Sequence, residues 1–145
     1  MKAQDLMVKA VQAAASAKVL LDTGDADGAS NRAYYAMFDA ARAALLASGF
    51  DVGKTHKGVL NAFSARLVKN GPVPKEMGRI LKHAETLRYV ADYESAPVEL
   101  SDAREMVEQA EIFVAAMRAE FMPEESQDDN KPSIFGPSAV IDPAK

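Results

Sequence analysis

Asn31-Arg32-Ala33-Tyr34-Tyr35-Ala36-Met37-Phe38-Asp39-Ala40-Ala41-Arg42-Ala43-Ala44-Leu45-Leu46 is the stretch on which the reading of this chain turns. Six of its sixteen residues are Ala, the strongest helix former, and no Gly or Pro interrupts it. Arg32 and Asp39 are seven residues apart. Seven is close to two helical turns, so both project from one face, with Tyr35 between them and Arg42 continuing the stripe. The plainest explanation of that stripe is a solvated face with an Asp39–Arg42 pair, worth tenths of a kcal/mol. The helix is expected over about Asp27 to Ser48, with Gly49 as its stop.

The rest of the chain reads the same way. A preceding helix is expected from about Gln4 to Asp22, where Leu6, Ala10, Ala13, Ala17 and Leu20 form one apolar stripe. Thr23, Gly24 and Asp25 break it. Thr55 is a plausible N-cap for a third helix, His56 to about Asn70, stopped by Asn70-Gly71-Pro72. A fourth fits Lys75 to about Tyr93, with Ile80, Leu81, Leu87 and Val90 as buried positions. Ser101, with Glu105 near the capping-box position, opens a fifth that runs to about Phe121. Nothing alternates as a strand does. The expected fold is all-α: an antiparallel up-and-down bundle of four to five helices over residues 1–122.

Beyond Met122 the composition shifts to Pro, Ser, Asp and Glu. Residues 123–145 hold five of the 21 acidic side chains and two of the 17 basic ones. A disordered, acidic tail is expected there, and the body is left nearly neutral. The isolated apolar pairs Ile134-Phe135 and Val140-Ile141 raise the alternative of a docking segment.

Composition excludes several functions. There is no Cys, so disulfides, thiolate nucleophiles and thiolate metal sites are out. Two histidines without close spacing make a zinc site unsupported, and neither metal nor cofactor is expected. No stretch approaches the ~20 apolar residues of a membrane span, so a cytoplasmic protein is expected. A net charge of −4 argues against non-specific coating of nucleic acid, though not against a local basic groove.

Four pieces of the chain, in order, resemble the HEPN superfamily of helical-bundle domains. The run NRAYYAMF with AARALL is similar to the family's signature helix. Lys54-Thr55-His56 with Gly58-Val59 resembles its loop and third-helix start. Arg88 with Ala91-Asp92-Tyr93 resembles the end of its next long helix, and Ala110-Glu111 with Phe113 its last helix. The likeness covers roughly residues 4 to 121.

The resemblance implies an activity. Many HEPN proteins are metal-independent ribonucleases, and many are toxins paired with an antitoxin, often a small nucleotidyltransferase. An Arg and a following His from each of two copies meet across a homodimer. The His takes a proton from a ribose 2′-OH, and the Arg holds the scissile phosphate. Here Arg32 stands at the Arg position and Asp39 where the His is usual. A carboxylate with a reference pKa of ~3.9 is a weak base at neutral pH. It would serve only if burial or a second carboxylate raised that value, and an Arg32–Asp39 pair would neutralise the Arg.

Two expectations follow. One is a toxin-like, RNase-type dimer with Arg32 and Asp39 as the catalytic pair and Arg32, Lys54 and His56 contacting RNA phosphate. Its partners would be a second copy, RNA and a cognate antitoxin such as a nucleotidyltransferase. The other is a catalytically inactive domain that binds nucleic acid, nucleotide or protein. Tyr35, Arg88, Asp92 and Tyr93 are expected to be structural or at the dimer seam. His83 is expected to be an ordinary, partly exposed helix residue.

Overall fold

The computed structural model describes residues 2–123. The acidic tail expected from sequence lies, apart from residue 123, outside the described residues. Five α-helices follow in order: α1 (Ala3–Asp22), α2 (Ala26–Ala47), α3 (His56–Ala62), α4 (Lys75–Tyr93) and α5 (Leu100–Phe121). A π-helical stretch, Phe63–Lys69, continues α3. The described residues contain no strand. No helix among them is long and apolar enough to cross a membrane. The chain divides into two compact units, Met1–Ala115 and Ala116–Lys145. Within the second, the Met122 amide closes the end of α5 on the Arg118 carbonyl at 2.9 Å.

In the first unit α2 is the central element and packs against α1, α3, the π stretch and α4. Its sequence explains this position. Ala33, Ala36, Ala40, Ala41, Ala43 and Ala44 are all fully buried, and small side chains let neighbouring backbones approach closely. Ala10, Ala13 and Ala17 of α1 are buried too. The α1 stripe turns slightly from the expected one: Met7 and Leu21 are buried, and Leu20 is half-buried. In α4, Ile80 and Leu81 are buried, while Leu87 and Val90 are only half-buried.

The helix ends follow local chemistry. The α1–α2 break is also a start: the Asp25 carboxylate accepts the Gly28 amide at 2.9 Å as the N-cap of α2. Gly49 takes φ +90 just after α2, the left-handed conformation in which Gly has no Cβ penalty. Thr55 caps α3 by accepting the Gly58 amide at 3.1 Å.

Two expectations are corrected. α5 starts at Leu100, and its first bond runs from the Ala103 amide to the Glu99 carbonyl at 3.0 Å. Ser101 therefore lies inside the first turn and is not the cap. The third helix is not α-helical to Asn70. Its buried positions Val59, Phe63 and Leu67 recur every four residues. In an α-helix such a repeat drifts by about 40° per step, and the wider π turn rotates the stripe back toward the core. The stretch closes where the Asn70 side-chain amide donates to the Ala65 carbonyl at 2.9 Å and the Val73 amide to the Leu67 carbonyl at 2.9 Å. A Cβ on Gly71 would lie 2.6 Å from that Leu67 oxygen, so only glycine fits.

Candidate functional site

Arg88 organises the site. It is 6% exposed, unusual for a charged residue. Its Nη1 donates to Ser30 Oγ at 2.7 Å and to Asp27 Oδ1 at 3.2 Å. Its Nη2 donates to Asp92 Oδ1 at 2.6 Å. These bonds tie the middle of α4 to the first turn of α2. They also occupy the guanidinium, so Arg88 is a brace and is not free for a phosphate.

Beside the brace lies a cleft of about 430 Å³ between α2, the start of α3 and the end of α4. Tyr34, Tyr35 and His56 form one wall, with the His56 ring 5.4 Å and 5.7 Å from the two tyrosine centroids. Phe38 packs against the same imidazole at 4.7 Å. Tyr89 and Tyr93 form the opposite rim, 59% and 75% exposed, with ring centroids 4.8 Å apart. They are four residues apart on α4, so they share a face. Lys57 and Glu85 also line the cleft.

Tyr34 Oη lies 3.2 Å from His56 Nδ1, so the two side chains share a hydrogen bond. Burial, with the Glu85 carboxylate and Tyr35 adding to it, pushes the Tyr34 phenol well above its ordinary range, so it stays protonated.

Arg32 and Asp39 lie outside this cleft, on the remaining open stripe of α2. Along that helix Gly28, Arg32, Tyr35, Asp39, Arg42 and Leu46 are not fully buried. Their spacing of four, three, four, three and four puts them on one face of the helix, a polar seam open to solvent. Asp39 is half-buried, and burial raises its carboxyl above the ordinary value. Lys9 of α1, Arg42 and Arg32 pull it back down without cancelling the effect. Among the described residues the ion pairs join Arg79 to Glu76, Lys82 to Glu85, and Arg88 to Asp27 and Asp92. Neither the Asp39–Arg42 nor the Asp39–Arg32 pair is present.

The structure thus splits the residues singled out from sequence. Tyr35, His56, Arg88, Asp92 and Tyr93 come together around one cleft. Arg32 and Asp39 share the neighbouring seam. Lys54 is exposed in the loop before α3 and does not line the cleft. His83 is exposed on α4 and lines a different groove. Sequence reasoning passed over Tyr89, whose signal was its spacing to Tyr93, and Asp27, whose partner is 61 residues away and leaves no local signal. Among the described residues no group of three or more His, Asp or Glu side chains could hold a metal ion.

Comparison with known proteins shows the family. The model of the HEPN domain family matches residues 3–120. A UPF0332 protein of Gloeobacter violaceus is 39% identical over 113 residues, covering 77% of this chain and 89% of that protein. A second UPF0332 protein, from Thermotoga maritima, is 38% identical over 102 residues, covering 70% of this chain and 76% of that one. A Methanocaldococcus jannaschii protein named "Putative toxin MJ0605" is 33% identical over 111 residues, covering 77% and 82% of the two chains. With a family match over nearly all the described residues and a helical bundle to carry it, the chain belongs to the HEPN domain family.

Proposed function

We propose that this chain is a toxin-like HEPN protein directed at RNA. It works as a homodimer through the open stripe of α2 and grips single-stranded RNA in the aromatic cleft. The observation that carries the reading is the exposed Tyr89–Tyr93 pair facing His56 and Lys57. Bases of any identity stack on such rings, at about 1–3 kcal/mol per base. The Lys57 ammonium, beside the His56 ring at the mouth of the cleft, would donate to phosphate oxygens between stacked bases. No metal takes part. The toxin name carried by one relative supports the role. A small antitoxin, of the nucleotidyltransferase kind that the family resemblance implies, is the proposed restraining partner.

Fluorescence anisotropy with labelled oligouridylate, in EDTA, tests the binding. Tyr89→Ala or Tyr93→Ala should weaken it roughly tenfold or more. Lys57→Glu should flatten the salt dependence by about one phosphate contact. Affinity untouched by all three would sink the proposal.

A second reading, metal-independent cleavage by Arg32 and Asp39, is favoured by the raised carboxyl of Asp39. There Asp39 would accept the ribose 2′-OH proton as that oxygen attacks the adjacent phosphorus and the 5′-oxygen departs. Host growth and total RNA discriminate the two. Toxicity and RNA loss that disappear in both Arg32→Ala and Asp39→Ala mean cleavage. Intact RNA from the expressed parent means binding alone.

A further inference from the structure

A second groove, along the first half of α4, has a different chemistry. It holds about 650 Å³ between the π-helical stretch and α4. Leu60 and Val68 reach its surface, and the buried Phe63 and Leu81 close it from beneath. Its charged lining is of one sign: Lys75, Arg79 and Lys82, with no Asp or Glu among the residues that form it. Two of those cations hold an acid on their own helix, Arg79 to Glu76 at 3.1 Å and Lys82 to Glu85 at 3.2 Å. The first pair is exposed at both side chains; in the second only Lys82 is, Glu85 being 30% exposed. An exposed pair is worth at most about 1 kcal/mol, so a better-placed carboxylate displaces Glu76 readily.

We propose that this groove docks an acidic segment of a partner protein, with one apolar side chain seated on Leu60 and Val68 and carboxylates laid along the cationic rim. Charge complementarity selects that occupant. The lysine and arginine stems add apolar wall beneath their charged ends, which suits a mixed acidic and apolar segment. RNA is disfavoured because the groove offers no exposed Phe or Tyr face: its one such ring, Phe63, is 1% exposed. The π-helical wall adds a second observation, since π turns occur often at functional sites. The groove and the Tyr89–Tyr93 cleft share no lining residue, and the Lys82–Glu85 pair joins their rims.

Gly78 makes the proposal testable. It lines the groove inside α4. A Cβ there would meet Val68 Cγ2 at 3.5 Å, an ordinary contact, and a mid-helix Gly replacement favours the helix. Gly78→Met therefore fills the groove while keeping every charge, with circular dichroism checking the fold. The probe is the labelled peptide acetyl-Asp-Glu-Leu-Phe-Glu-Asp-Leu-amide, and the control replaces its acids with Lys. The acidic peptide should bind at low salt and the control should not. Both Gly78→Met and the Lys75→Glu/Lys82→Glu double variant should weaken binding at least tenfold, and oligouridylate affinity should stay unchanged in Gly78→Met. Peptide binding that is absent, or equal in all variants, overturns the proposal. So does loss of oligouridylate binding in Gly78→Met, which would assign the groove to RNA. A Gly78→Met protein that sediments as monomer where the parent is dimer would overturn it as well, by assigning the groove to a second copy.

Discussion

The Arg88 brace responds unequally to losing either side, because the arginine and its partners differ in exposure. Arg88 is buried, but Asp27 and Asp92 are 69% and 53% exposed at their side chains. Removing the arginine leaves carboxylates that water can solvate. Removing the carboxylates strands a buried cation. Arg88→Met should therefore cost roughly 1–2 kcal/mol, and Asp27→Ala/Asp92→Ala about 3–5 kcal/mol, in urea unfolding. Equal losses would mean that the brace is not the buried charge. Tyr34 gives the pH dependence. Its folded pKa is raised above the unfolded value of 10.0, so above that pH the folded state holds a proton that the unfolded chain releases. Stability then falls as pH rises past 10.0. Melting followed from neutral to alkaline pH should show that slope in the parent and less of it in Tyr34→Phe.

The helix starts carry a coupling that neither residue reveals alone. Gly28 is the third residue of α2, and a Cβ on it would collide with the capping Asp25 carboxylate. In a parent background, Gly28→Ala gains about 1 kcal/mol of helix propensity and loses a cap of about the same size, for a net change near zero. In an Asp25→Ala background the cap is already gone, and the same substitution should stabilise by about 1 kcal/mol. A double-mutant cycle measures the difference directly, and simple additivity would refute the steric coupling. The π-helical stretch belongs to this scale as well. Its sequence looks like ordinary helix, because the four-residue repeat of Val59, Phe63 and Leu67 fits an α-helix for one step. Only the need to bury all three against the core selects the wider turn.

Across the whole molecule, the proposed homodimer would pair through the open α2 stripe. An antiparallel pair of α2 helices, centred near Tyr35, would bring Arg32 of one protomer to Asp39 of its partner. That pairing would return the Asp39 carboxyl toward its ordinary range and take Arg32 out of catalysis. Sedimentation of charge swaps tests it. Arg32→Asp and Asp39→Arg should each weaken the dimer by like-charge contact, and the double swap should restore it. A double swap no better than either single change would place the interface elsewhere.

How much of this was legible in advance follows from the range of each interaction. Helix periods, breaks and N-caps are set within four residues, so α1, α2 and α4 could be read to within a residue from sequence, and Thr55 as a cap with them. The family could be read too, since its pieces are local runs in a fixed order. Which face each helix would bury was only partly legible, as Leu20, Leu87 and Val90 show. The candidate site was least legible. Arg32 and Asp39 attracted attention because they share a helix. The cleft instead joins Tyr35, His56 and Tyr93 from three helices, and its brace spans 61 residues from Asp27 to Arg88. Those contacts exist only once α4 has packed on α2. Local sequence therefore determined the helices and the family, while tertiary packing alone decided which polar groups meet, because nothing along the chain encodes the distance between residues that touch only in the fold.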